Sequence, residues 1–180
     1  IFAGCDIDES FPTKSNVDGI NRTIELLENI DDGLVFTNLV ETDQLWGHRN
    51  DPRGFARALE RFDRQLGPLL DHLTSSDTLF ISADHGNTEA TGIGRPQEGV
   101  LSDKRGERCR IYSDPTLRKS CLATFPGTQP WDHAGLPENI STLLSPYGTA
   151  FTQDGTTLLC HGGAALEEVC VPFIRIPART

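Results

Sequence analysis

Two continuous apolar runs, Gly33-Leu-Val-Phe-Thr-Asn-Leu-Val40 and Thr78-Leu-Phe-Ile-Ser-Ala83, most restrict what this chain can fold into. Each is short, bounded by turn or charged residues and rich in strand formers, the pattern of a strand buried on both faces. Between them, from Pro52 to Leu73, apolar residues recur at Phe55, Leu59, Phe62, Leu66, Leu69, Leu70 and Leu73 with Arg and Asp interspersed, an amphipathic helix that Gly67-Pro68 can bend. Strand, helix, strand is the crossover of a parallel sheet with helices on its faces. Ligands of such sheets bind beyond the carboxyl ends of the strands. Asp43 and Asp84, each just past a run, are therefore expected on one rim of a mostly parallel α/β sheet.

The rest of the chain reads less regularly. Ile20, Ile24 and Leu26 or Leu27 give a helix over Asp18–Glu28, closed by the breakers of Asn29–Gly33. Residues 87–130 are rich in Gly, Pro, Arg and Ser, with a polar run at Lys104, Arg105 and Arg108, and are expected to leave the sheet as a cap or surface loop. A short helix is expected over Asn139–Leu144, and strands over Thr157–Cys160 and Val169–Ile176, with a helical turn at Ala164–Glu168 between them. Neither a repeat nor a low-complexity tract is present, and the chain reads as one domain over 1–180.

Bulk properties exclude several classes. With 26 acidic against 16 basic residues the formal net charge is -10, which opposes a nucleic-acid surface. The same balance suits a collector of divalent cations, or simply a well-solvated surface. No apolar run is long enough to span a bilayer, and Ile1-Phe-Ala-Gly lacks the parts of a signal peptide. The absence of methionine and the apolar start read as a piece of a longer product, the C-terminal part of a larger enzyme. Five cysteines without CxxC spacing fit reduced, cytoplasmic thiols better than a disulfide framework.

The residues that carry chemistry are carboxylates and imidazoles. Asp43-Gln-Leu-Trp-Gly-His48 sets the two types five apart, and Asp84-His85-Gly86 sets them side by side at a strand end. Carboxylate oxygen with imidazole nitrogen is a ligand set for zinc, manganese or iron. Alone, either pair is as well read as a hydrogen-bonded turn; two pairs sharing one rim point to metal. His161-Gly-Gly offers a further imidazole after a strand, with glycines that let backbone crowd an ion or phosphate, or else an exposed Gly-rich turn. His72 reads as a histidine at a helix C-terminus, and His133, in Trp131-Asp132-His133, stays ambiguous. Arg49 offers its fork of donors to a phosphate, or forms a surface ion pair.

The ordered series Ile1-Phe-Ala-Gly with Asp6, Ser15-Asn-Val-Asp-Gly, Gly33-Leu-Val-Phe-Thr-Asn-Leu-Val, Asp43-Gln-Leu-Trp-Gly-His-Arg49 and Ser82-Ala-Asp-His-Gly-Asn87 closely resembles the phosphopentomutases of the alkaline phosphatase superfamily. The resemblance runs to about residue 90. It implies an alkaline phosphatase-like α/β fold, a phosphorylated sugar substrate and two manganese ions, with zinc as the alternative metal. Asp43 and His48 would ligate one ion, Asp84 and His85 the other. The family's next histidine, in a Thr-Asp-His-Thr-Arg-Glu stretch, is missing from Gly92-Ile-Gly-Arg-Pro-Gln-Glu98. The tail, Lys104-Arg-Gly-Glu-Arg-Cys-Arg-Ile-Tyr112 and His161-Gly-Gly-Ala-Ala-Leu-Glu-Glu-Val-Cys-Val-Pro-Phe173, resembles PglZ-type members of the same superfamily, which transfers the missing ligand role to His161. The family's first metal aspartate and nucleophilic threonine match nothing here, and Thr37, Thr42 and Ser82 fit no nucleophile motif. Three readings follow: a mutase-like phosphoryl-transfer enzyme, a PglZ-type phosphatase, and a non-catalytic metal-binding fragment that binds metal weakly and turns over phosphate esters poorly.

Overall fold

A computed structural model describes residues 5–96, 107–131 and 137–177. The chain divides into two compact units, one formed by the residues up to Leu79 with those from Arg175 on, the other by Phe80–Ile174.

The first unit is helical. Helix α1 (Asn16–Leu27) starts where Ser15 caps it, the Ser15 hydroxyl accepting from Asp18 N. Helix α2 (Pro52–Asp71) starts at Asp51, whose carboxylate accepts from Gly54 N, with Pro52 in the first turn. It runs through Pro68 to His72, which caps its C-terminus as expected and pairs with Glu28 at 3.3 Å. A π-helical segment, Thr42–Gly47, packs against α2, and α1 packs against α2 in turn. Ile20, Ala58 and Leu69 are the buried apolar side chains here.

The run over 33–40 is not a strand. It is extended but joins no ladder among the described residues, and Leu34 is 86% exposed. A continuous apolar run records strand propensity; pairing requires a neighbour, and none of the described strands supplies one.

The second unit holds the two three-stranded sheets, with most of β1 (Leu79–Ser82) and half of β8 (Phe173–Ile176). Strand β1 forms as expected and pairs with β8, Phe80 stacking on Phe173 at 5.4 Å. A three-stranded sheet runs β6-β2-β7, from β2 (Thr88–Gly92), β6 (Thr149–Ala150) and β7 (Thr157–Cys160); β2 is parallel to β6 and antiparallel to β7. Another runs β3-β5-β4, from β3 (Cys109–Tyr112), β4 (Gln129–Trp131) and β5 (Ser141–Leu144), both pairings antiparallel. The architecture is α/β, but among the four pairings within the two three-stranded sheets the parallel one is the exception.

Within residues 87–130, expected as an excursion from the sheet, the described residues form β2, β3, helix α3 (Pro115–Thr124) and most of β4. In β2 polar composition concealed the strand because only alternate positions are buried: Thr88, Ala90 and Gly92 are buried while Glu89 and Thr91 are exposed. Ser141–Leu144, expected as helix, is a strand with three consecutive buried residues. The core joins Tyr112, Cys121, Leu143 and Phe151, with Leu117, Leu122 and Phe125 of the α3 region against it. A smaller cluster joins Ala90, Ala150 and Cys160. Near the end of the chain a single turn, α4 (Leu166–Val169), falls where a helical turn was expected, and β8 begins four residues after it rather than at Val169.

Candidate metal centre

His48 follows Asp43 by five positions, which on an α-helix places them about 140° apart. The π winding corrects this. His48 N donates to Asp43 O at 2.9 Å, an i→i+5 bond, and the widened turn stacks the two side chains so that His48 Nε2 lies 2.8 Å from Asp43 Oδ2. Gly47 is required by the closeness of that stack, since a Cβ there would sit 2.3 Å from Asp43 Oδ1. The start of the segment is tied to α1 by a reciprocal clamp, Glu41 N donating to Asn16 Oδ1 at 3.0 Å and Asn16 N to the Glu41 carboxylate at 2.5 Å. Asp43 thus stands on a helical segment after a run that joins no ladder among the described residues, and the expectation of a parallel strand leading to it is overturned. Arg49 is exposed on the turn that follows.

In the second unit, strand register decides which groups meet. Thr88 of β2 lies opposite Cys160 of β7 in an antiparallel pair, so the residues entering β2 and those leaving β7 share one end of the sheet. Asp84-His85-Gly86 is the entry and His161 the exit. The His85 and His161 rings stack with centroids 3.8 Å apart and planes 16° apart. A carbonyl only accepts, so His85 Nδ1 donates to Gly86 O at 3.0 Å and Nε2 carries the lone pair. That nitrogen is 3.9 Å from Oδ1 of the exposed Asp84. Burial pushes the Cys160 thiol up to about 11, so beside His161 it is a protonated apolar side chain and not a thiolate.

These donors fit a divalent ion. Two ligand atoms each about 2.0–2.2 Å from one ion stand roughly 3–4 Å apart, and the 3.9 Å between Asp84 Oδ1 and His85 Nε2 matches that spread. Asp43 Oδ1 is enclosed and has no hydrogen-bond partner. An unsatisfied buried carboxylate oxygen is costly unless a cation neutralises it. His48 Nε2 lies 2.8 Å from the other Asp43 oxygen, and a divalent ion held by both residues would have to displace any proton between them.

The Metalloenzyme superfamily model matches residues 7–93, the stretch that carries Asp43, His48, Asp84 and His85. Those residues are a metalloenzyme-superfamily segment. The chain is 46% identical over 121 residues to a phosphopentomutase of Alkaliphilus oremlandii, an alignment that takes in 67% of this chain and 31% of the relative. Phosphopentomutases of Anaeromyxobacter sp. strain K and Thermotoga petrophila are 54% and 53% identical over 86 and 87 residues, each alignment covering 48% of this chain and 22% of the relative. The chain thus spans less than a third of the length of the curated relatives it matches.

One buried group was missed by sequence reasoning. Arg108, expected in a solvated run with Lys104 and Arg105, is 2% exposed and pairs with Glu168, also 2% exposed; Lys104, Arg105 and His133 lie outside the described residues. Burial alone would raise the Glu168 pKa, but its bonds from Arg108, Ala165 N and Gly163 N outweigh that and hold it below the usual carboxylate range. A single arginine in a polar stretch carries no periodic signal that would mark it as core.

Proposed function

We propose that this chain carries the metal ligands of a phosphopentomutase-like phosphoryl-transfer enzyme that interconverts ribose 1-phosphate and ribose 5-phosphate. The observation that carries the reading is the pairing of carboxylate with imidazole at both family positions, Asp43 with His48 on the π-helical segment and Asp84 with His85 before β2. Asp43 and His48 serve one ion, Asp84 and His85 the second, and His161 supplies the imidazole that the family places in a stretch this chain lacks. Manganese is the metal proposed, zinc the alternative. When bound, the two divalent ions neutralise the phosphoryl oxygens and orient the attacking oxygen for in-line displacement. The protein residues fix the donors: the i→i+5 turn holds the Asp43 carboxylate against His48, and Gly86 O keeps the His85 Nε2 lone pair available. Arg49 is proposed to meet the substrate phosphate.

A second reading, a PglZ-type phosphatase, is favoured by the placement of His161-Gly-Gly directly beside His85. Assays with manganese separate the two. Conversion of ribose 1-phosphate to ribose 5-phosphate supports the mutase, release of inorganic phosphate from generic esters supports the hydrolase, and metal binding with neither activity supports a non-catalytic role.

A further inference from the structure

The loop from His161 to Ala165 leaves β7 and forms no ladder of its own, yet the His161 ring is held in register with His85. Its backbone is fastened by one side chain. Glu168 Oε1 accepts from Gly163 N at 2.8 Å and Glu168 Oε2 from Ala165 N at 2.9 Å. The Glu168 main-chain carbonyl accepts from Gly86 N at 2.8 Å, one residue past His85. A single residue therefore ties down both histidine-bearing segments, one through its side chain and the other through its backbone.

Arg108 fixes Glu168 in turn. Its Nε and Nη2 donate to the two carboxylate oxygens at 3.2 and 3.0 Å, a bidentate fork that sets the carboxylate plane. Its Nη1 donates to Ser145 Oγ at 2.9 Å, to Pro146 O at 2.8 Å and to Thr149 O, which anchors the fork in the turn between β5 and β6. The His161-Gly-Gly sequence is fitted to this pair. Gly162 has φ of 100°, and a Cβ on Gly163 would lie 2.7 Å from Glu168 Oε2 and 3.0 Å from Arg108. The crowding that Gly163 permits is with the buried ion pair.

We infer that Arg108 and Glu168 are positioning residues, a buried clasp that presets the His161 loop against His85 and thereby preorders two imidazole metal ligands. The inference rests on the metal reading of His85 and His161 proposed above. Hydrogen-bonding groups behind metal ligands are typically worth about 10- to 100-fold in metal affinity.

The test uses the metal-free chain first. In wild type, the nuclear Overhauser contact between the His85 and His161 rings is expected, with slow exchange of the Gly86, Gly163 and Ala165 amides as a group. Exchange of Gly163 and Ala165 at the rate of an open loop overturns the inference without any substitution. The second arm is the double variant Arg108→Met/Glu168→Leu, because replacing a buried ion pair with apolar side chains often preserves the fold where removing one partner does not. The folded double variant is expected to lose the ring-to-ring contact and to bind manganese about 10-fold or more weakly, with Arg108→Lys/Glu168→Asp recovering part of both. A folded double variant that keeps the ring contact and an affinity within about twofold of wild type shows the pair to be structural only. Wild type that binds no manganese yet shows the ring contact and its loss in the double variant refutes the metal reading and leaves the clasp standing.

Discussion

At Gly47 the close contact with Asp43 makes a direct prediction about a single methyl group. Gly47→Ala would place a Cβ 2.3 Å from Asp43 Oδ1, so the carboxylate must swing away from His48. The expected outcome is a manganese affinity lowered about 10-fold or more, since ligand geometry tolerates little displacement; unchanged affinity, read by calorimetric titration, would show that Asp43 is not a ligand. Glu168 makes a prediction in pH. Its folded-state pKa lies below the ordinary 4.5, so its contribution to stability is fully present above that pH and is lost as pH falls through 4.5 and on through the lower folded value. Urea unfolding across pH 3 to 6 is expected to show a steeper acid loss in wild type than in Arg108→Met/Glu168→Leu. Equal slopes would mean that the Glu168 carboxylate is not held by its partners. Neither Arg108 nor Glu168 was legible in the sequence, because a buried ion pair joins residues sixty positions apart and leaves no local pattern.

The two helices of the first unit were legible from apolar spacing: the expected spans Asp18–Glu28 and Pro52–Leu73 fall on α1 and α2, where Leu69 is buried although Leu59 of the same spacing is 50% exposed. Gly47 and His48 were visible as residues, but the π winding that joins Asp43 to His48 was not, since nothing in the composition distinguishes five-residue from four-residue hydrogen bonding. Strand pairing was the least legible feature: β2, β3 and β5 are short, and their register depends on partners distant in the chain. The opposite error occurred at 33–40, where propensity was read as pairing. Leu34, 86% exposed, is a large apolar side chain facing water, a surface feature that favours self-association. Leu34→Lys is expected to change unfolding stability by no more than about 0.5 kcal/mol while reducing self-association in sedimentation velocity. A large loss of stability would show that Leu34 packs against something in solution.

For the molecule as a whole, the chain spans less than a third of the length of the phosphopentomutases it matches, and the matched stretch contains Asp43 with His48 and Asp84 with His85. Among the described residues no helix is long and apolar enough to cross a membrane, and the net charge of -10 favours cations over polyanions. The α/β class could be read from alternating helix and strand signals; the division into two compact units could not, because the first unit takes up the chain again at Arg175 after the second is complete. The proposed metal-binding role of Asp43, His48, Asp84, His85 and His161 is tested most directly by titration with manganese, followed by the loss of the free-ion paramagnetic resonance signal. Saturable binding by wild type is predicted, with Asp43→Asn, His48→Ala, His85→Ala and His161→Ala each weakening it about 10-fold or more, and with metal at a hundred times its Kd adding about 2.7 kcal/mol to unfolding stability. Binding that is absent from wild type, or equal in all four variants, would contradict the account.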